Sequence, residues 1–333
     1  MRSPNFSRYA LPCYVAAAIL AGCGGSQLSV GPADTGPAWL QERPALTASA
    51  KAASASKSKG YKATPPLLYV ANATPTDNDL RVYHLGAKDP TPIATITNGI
   101  EDPNGNCIDG QGTLYVTNDP IDGSGWVSGY PLGKTTASEI IKDGVSTPAF
   151  CAIDAKGSLW VTNIGLDDVG EYPKGSKKPQ TILTKGLTRA SGIAIDHSGN
   201  IYVGNLLTSG TSNIVVYAPG SNSPSRTITD GITSPAGMTV DANGTLYVTN
   251  VEQNNVAEYR SGQDEPFQTI TDSMHQPAGV TVTKKGMLYV ANLESEYSSV
   301  VEFRLGSLRP LKRGISNGLF NPVGVAYYPP LLP

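Results

Sequence analysis

The stretch Gly-Thr-Leu-Tyr-Val-Thr-Asn stands at residues 112–118 and again at 244–250. Near-copies fill the chain. LLYVAN ends at Asn72, LYVTN at Asn118, LWVTN at Asn163, IYVGN at Asn205, LYVTN at Asn250 and LYVAN at Asn292, at intervals of 46, 45, 42, 45 and 42 residues. A unit that returns six times at this spacing is one supersecondary structure. It buries its apolar surface only by stacking on its neighbours.

Each unit contains four strand-like pieces, clearest in residues 190–228. Gly192-Ile193-Ala194-Ile195 alternates small and branched residues, a strand pattern, and Asp196-His197-Ser198-Gly199 follows as a tight turn. The Asn-terminated strand comes next. After a variable loop, a third strand ends in an aromatic residue and a fourth carries Thr-Ile-Thr. The turn recurs at Asp109, Asp154 and Asp241. Tyr69, Tyr115, Trp160, Tyr202, Tyr247 and Tyr289 share one repeat position, and Tyr83, Tyr130, Tyr172, Tyr217, Tyr259 and Phe303 share another. These are 12 of the 24 aromatic residues, so they are read as packing between units. Gly (36) and Pro (26) together make about a fifth of the chain, as many short strands joined by turns require.

The repeat region opens at Leu67-Leu68-Tyr69, a second strand without a first. It finishes at Pro322-Val323-Gly324-Val325-Ala326-Tyr327, a first strand without a second. The two halves complete one unit. The sequence thus predicts an all-β, six-bladed β-propeller of four-stranded antiparallel blades over residues 65–333, its ring closed by the C-terminal strand joining the N-terminal blade.

The pattern P-x-G-[IV]-x-[VI]-D-x-x-G-x-[LI]-Y-V-x-N resembles NHL-type and YVTN-type bacterial propellers. It is also similar to the wider six-bladed group of gluconolactonase/regucalcin-like hydrolases and streptogramin lyases. The resemblance implies the fold and leaves activity open, since this architecture hosts many chemistries.

The N-terminus is read separately. Arg2 and Arg8 precede the short apolar run ALPCYVAAAILAG, which ends in Leu20-Ala21-Gly22-Cys23. This resembles the lipobox of bacterial lipoproteins, which implies a signal peptide over 1–22, lipidation of Cys23 and a membrane held through the lipid. Gly24 stands where the residue resembling an inner-membrane retention signal would be Asp, so an outer-membrane or cell-surface position is expected. Residues 23–64, rich in Ser, Ala, Gly, Pro and Lys, are read as the lipidated Cys and a flexible tether.

The search for chemistry centres on the face formed by loops that enter first strands and leave second strands. Gluconolactonase-like relatives hold a divalent cation there with Glu, Asp and Asn oxygens. Here the first-strand entrances are Asn104, Ala149, Ser191, Ala236, Ala278 and Val323, none acidic. The second strands all end in Asn (72, 118, 163, 205, 250, 292), read as a structural ring in which each Asn bonds loop backbone of its own blade. No metal, no cofactor and no catalytic residue is assigned. The lyase relatives use a His with a Glu and a metal. Of three histidines only His275 lies on this face, without Glu-x-His or His-x-x-x-His spacing. Arg189 stands in an entering loop without Pro, immediately before Ala190, where the other five entering loops have Pro. Asp119, Asp168, Glu252 and Glu294 belong to leaving loops and are read as a solvated acidic rim. Arg189, His275 and these acids are the candidate binding face.

Charged residues are 16%, net charge is −2 and no Lys/Arg cluster occurs, which argues against nucleic acid. No G-x-S-x-G or P-loop is present. Cys107 lies two residues before its turn Asp and Cys151 three, so they point to opposite faces of consecutive blades. Whether they face each other depends on the packing sense; a disulfide and two buried thiols both remain open. The reading is a monomeric, non-catalytic, lipid-anchored envelope propeller that binds a protein, peptide or glycan. The alternative is a metal-dependent lactonase or lyase of the same architecture.

Overall fold

The computed structural model describes residues 60–331, apart from 74–77, 121, 208–211 and 313. The expected signal peptide (1–22), Cys23 and most of the expected tether lie outside the described residues. The described chain is a six-bladed β-propeller. First strands run Pro103–Ile108, Pro148–Ile153, Ala190–Ile195, Pro235–Val240, Pro277–Val282 and Pro322–Tyr328 in blades 2, 3, 4, 5, 6 and 1. Each pairs antiparallel with a second strand. That strand pairs with a third, and the third with a short fourth.

The ring closes as the divided repeat requires. Pro322–Tyr328 pairs with Leu67–Ala73 in the register Leu67↔Tyr328, Leu68↔Tyr327, Tyr69↔Ala326, Val70↔Val325. Blade 6 departs from the pattern. Its sheet has three full strands, and the place of the fourth is held by a single bridge, Val300↔Ile315. The segment between contains Pro310, which cannot donate to a ladder, and Gly314.

Every residue of Leu114–Asn118, Leu159–Asn163, Ile201–Asn205 and Leu246–Asn250 is buried. In these strands alternation places Leu and Val against one neighbouring blade and the aromatic against the other. Third-strand tyrosines add a repeated tie. The hydroxyls of Tyr83, Tyr130, Tyr172, Tyr217 and Tyr259 donate to the carbonyls of Asn317, Asn98, Asp143, Lys185 and Asp230 at 2.6–2.8 Å. Blade 6 has Phe303 there and lacks the hydroxyl. Turn aspartates act as expected of Asx turns: Asp109 Oδ1 accepts the N–H of Gln111 at 2.9 Å and of Thr113 at 2.7 Å. Thr283 holds that place in blade 6.

The first strands approach one another so closely that a side chain is excluded. A Cβ on Gly192 would lie 1.7 Å from the Ala236 carbonyl oxygen of the next blade. Gly105, Gly237, Gly279 and Gly324 occupy the same position, and blade 3 alone has Phe150. Threonine of the LYVTN strand spans the same gap. The Thr117, Thr162 and Thr249 hydroxyls reach the carbonyls of Ala149, Ser191 and Ala278 on the next blade at 2.7, 2.5 and 2.7 Å. Blade 4 has Gly204 instead, and there Ser191 makes the tie, donating to Pro235 O at 2.7 Å.

Cys107 and Cys151 are joined, with Cα atoms 5.7 Å apart. The position of Ala194 packs toward the next blade and that of Ile193 toward the preceding one. Cys107 occupies the first kind of position and Cys151 the second, so the two sulfurs meet between blades 2 and 3.

The domain begins before residue 65. Tyr61 N–H donates to Gly133 O at 3.0 Å, and Tyr61 packs on the core of blades 1 and 2. Its hydroxyl meets that of Tyr69 at 2.8 Å. Tyr61 and Ala63, expected in the tether, thus pack on the propeller. The physical reason is the cut in blade 1. Splitting that blade removes the turn Asp which elsewhere meets the second-strand aromatic, as Asp241 Oδ2 meets the Tyr247 hydroxyl at 3.3 Å, and Tyr61 supplies the missing partner.

The disulfide closes a loop of 44 residues in sequence separation, which on a chain-entropy account corresponds to roughly 3–4 kcal/mol. Cys107→Ala/Cys151→Ala should lower stability by about 2–4 kcal/mol in chemical denaturation. A thiol count on the denatured, unreduced mature chain should find neither cysteine free; two reactive thiols would overturn the bond.

Candidate functional site

The upper face carries the loops that enter first strands and leave second strands. Its framework is the ring of asparagines, all at most 2% exposed. Each Asn Oδ1 accepts a backbone N–H from the entering loop of its own blade: Phe320 to Asn72 at 2.6 Å, Glu101 to Asn118 at 3.0 Å, Ser146 to Asn163 at 3.2 Å. Thr188, Thr233 and His275 donate likewise to Asn205, Asn250 and Asn292, at 2.5–3.0 Å. In four blades Nδ2 returns a bond to a carbonyl of the same loop, as Asn163 does to Gly144 O at 3.1 Å. A side-chain amide offers donor and acceptor together, which is why no carboxylate stands in the ring.

Nδ2 also reaches the start of the third strand, where the partner is Asp79, Asp168, Asn213, Asn255 or Ser299 at 2.8–3.2 Å. Asp168 is therefore not a solvated rim acid. It is 8% exposed and bonded to Asn163. Burial raises its pKa above the usual carboxylate range, the Asn163 bond opposes this, and the Asp167 charge adds to the rise.

The channel mouth is apolar. Ile164, Leu206, Val251 and Leu293 each follow a ring Asn, and they pack with Ala149, Ala236, Ala278 and Val323 into one buried cluster. Backbone bonds hold them there, such as Leu206 N–H to Arg189 O at 3.2 Å and Val251 N–H to Ser234 O at 3.1 Å. Blade 2 departs from this, with Asp119 after its Asn and Asn104 at its entrance, and blade 4 has Ser191 at its entrance, its hydroxyl committed to Pro235 O. A hard divalent cation takes six or more oxygens, carboxylates among them. One carboxylate and one amide amid aliphatic side chains do not fit such an ion. Among the described residues no group of three or more His, Cys, Asp or Glu is placed to hold a metal. Below the plug the channel narrows to a cavity of about 140 Å³ walled by the six first strands, with Pro330 and Leu331 at its lower end.

Asp102, Thr147, Arg189, Gln276 and Asn321 share one loop position and have φ of 41–57°. Left-handed backbone at non-glycine residues often marks function. Here it recurs in five blades, so it belongs to the architecture of the loop.

Blade 6 carries the densest cluster of the face. His275 Nδ1 lies 3.6 Å from Glu294 Oε2. The imidazole stacks on Tyr297, ring centres 4.1 Å apart and planes 12° from parallel. His275, alone in its loop by sequence spacing, thus has a carboxylate and an aromatic partner from the leaving loop. Tyr297 escaped the sequence reading, although its signal was present: it belongs to neither aromatic column. It is 46% exposed, as is Leu166 on the leaving loop of blade 3. Trp126 is half-buried on blade 2 under the Lys142 ammonium, 5.4 Å from the ring centre. The Arg189 N–H donates to Asp167 Oδ1 at 2.7 Å, and Glu252 is exposed. Of the candidate residues of this face, the structure brings His275 and Glu294 together.

No protein-family model matches the chain, and no curated protein matches it. Solved structures do. A protein in the crystal structure of a nidogen/laminin complex is 17% identical, with a TM-score of 0.64 over 79% of this chain and 98% of that one. A protein of unknown function from Bacteroides caccae is 13% identical, with a TM-score of 0.61 over 79% and 99%. At these identities the likeness concerns the fold.

Blades 4 and 5 place Asn213 and Asn255 where blade 3 has Asp168. A folded-state pKa above the unfolded one means that the carboxyl favours folding when protonated, and that this contribution is lost as pH rises through the folded pKa. Asp168→Asn should therefore raise the melting temperature by a few degrees at pH 7. The gain should shrink toward zero as the pH falls to about 4. Equal gains at both pH values would refute an ionised, buried Asp168.

Proposed function

We propose that this protein is a non-catalytic, lipid-anchored cell-envelope propeller of the NHL or YVTN type that binds a protein, peptide or glycan through its upper face. The observation that carries this reading is the contrast between mouth and rim. The mouth is filled by the aliphatic side chains of Ile164, Leu206, Val251 and Leu293. The rim presents Tyr297, His275, Trp126 and Leu166 among Glu252, Glu294 and Asp167. Large aromatic side chains with exposed area are what contact surfaces use, since they give much buried area for little lost rotamer freedom. The nidogen neighbour was solved in a complex with laminin, which agrees with a binding role for the architecture. The lipobox-like Leu20-Ala21-Gly22-Cys23 and the tether that follows support display at a membrane surface, with the outer membrane favoured and the chain a monomer.

Two measurements test this. Thermal melting of the mature chain with Ca²⁺, Mg²⁺, Mn²⁺ or Zn²⁺ against a chelator should show no shift. A rise with one ion, by mass action on the native state, would restore the metal-dependent lactonase or lyase reading. A photo-crosslinking residue at position 297 should give a defined adduct on intact cells while one at Lys177 on the lower half gives none; adducts at both or neither would sink the assignment of the face. The anchor is tested by Cys23→Ser, which should move the protein from the membrane to the soluble fraction.

A further inference from the structure

The lower face holds a second feature that the repeat does not require. A cavity of about 350 Å³ opens between blades 3 and 4. Trp160, Leu183, Ile195 and Ile201 form its apolar walls, and Glu171 lines it. Lys156 and His197 belong to the exposed turns at its rim.

Comparison of the blades shows how the groove opens here. Trp160 stands where the other second strands have Tyr. The fourth-strand residue that flanks this groove is Thr181 in blade 3, paired with Glu171. Its counterparts are long in three blades: Glu139 in blade 2, Arg226 in blade 4 and Gln268 in blade 5; blade 1 has the short Ala94, and there Tyr61 packs into the same cluster. Arg226 lies over the Tyr202 ring, 5.9 Å from its centre, and Gln268 Nε2 donates to Glu258 Oε1 at 3.1 Å. Those side chains fill their grooves. Thr181 is too short to do so.

The carboxylates differ accordingly. Glu258 and Glu302 occupy the position of Glu171 in blades 5 and 6 and are sealed, at 1% and 7% exposure. Glu258 is bonded by Gln268, and Glu302 accepts the Tyr289 hydroxyl at 2.9 Å. Glu171 is half-buried and open to the cavity. The second acid at the site, Asp154, is committed: Oδ1 takes the N–H of Lys156 and Ser158 at 2.9 and 2.8 Å, and Oδ2 takes Trp160 Nε1 at 3.1 Å.

We propose that this inter-blade cavity is a binding site for a small organic ammonium compound with an apolar body, its cation on Glu171 and its body against Trp160, Leu183, Ile195 and Ile201. A carboxylate at a mostly apolar wall selects for positive charge, because an opposite charge there is screened less than in water. An indole wall suits the same ligand through its quadrupole. The volume lies at the small end of ligand pockets, which fits one ring or a short branched chain. Lys156 and His197 lie at the solvent edge, where their charges are screened. The site lies on the opposite face from the Asn ring and rests on none of the argument for the upper face.

Isothermal titration calorimetry of the purified full chain against phenethylamine, cyclohexylamine and tetramethylammonium tests it. At least one should bind saturably at one site. The neutral counterpart of that ligand (2-phenylethanol, cyclohexanol or neopentane-derived alcohol) should bind at least about tenfold more weakly, a difference of roughly 1.4 kcal/mol. Glu171→Gln should cost a similar factor. Thr181→Arg copies the groove-filling residue of blade 4 and should abolish binding while leaving the melting curve cooperative. Trp160→Tyr, which restores the repeat, should weaken it. Saturable binding by none of the three amines, equal binding of the neutral compound, or binding that survives Thr181→Arg would each overturn the proposal.

Discussion

The pairing of Pro322–Tyr328 with Leu67–Ala73 is the constraint on which the rest depends. An array of blades has two raw edges, each a row of unpaired backbone groups and an uncovered apolar face. Joining the ends removes both at once. The cost is geometric. Six first strands must surround one axis, and in five of them the backbone lies too close to the next blade for a Cβ, as at Gly192. Thr117, Thr162, Thr249 and Ser191 convert that closeness into bonds between blades.

Closure at this radius also decides what the centre can do. Once the residues after the ring asparagines turn inward, four aliphatic side chains fill the upper mouth. Chemistry that depends on a wide polar channel is displaced to the two faces. On the upper face the asparagine amides fix the loops from within, so the loop tips vary without loosening their roots. Asp168 illustrates the limit of that freedom. It lies in a variable loop by sequence, yet it is a buried partner of Asn163, and its carboxyl carries a desolvation penalty that Asn213 and Asn255 avoid.

Much of this was legible in the chain, because a repeat provides its own alignment. The strand order, the ring closure, the turn aspartates and the two aromatic columns follow from comparing six copies. What escaped was whatever depends on the space between blades. The one-residue offset of Cys107 and Cys151 placed them on opposite faces, but the sense in which blades stack decides whether such faces meet, and no single blade carries that information. Tyr61 escaped because it lies outside the repeat, in a Lys- and Ser-rich segment that reads as solvated. The stack of His275 on Tyr297 joins an entering loop to a leaving loop 22 residues later, through a short turn that no periodicity announces.

The informative positions in such a protein are the ones where a blade departs from its siblings. Phe150 replaces the tight glycine and is followed by Cys151. Phe303 drops the hydroxyl that five tyrosines use, in the blade whose fourth strand shrinks to one bridge. Trp160 and Thr181 depart together in blade 3, and with Glu171 they line one groove. A single departure is what drift gives in a tolerant fold. Two that meet in space change the groove from filled to open and leave the Glu171 carboxylate facing it. Removing Thr181's longer counterpart alone would expose a tyrosine edge; the larger indole, tied to Asp154 through Nε1, keeps the opened wall ordered. The geometry of blade 3 is that of a site whose parts depend on one another, held on a ring rigid enough to keep them in place.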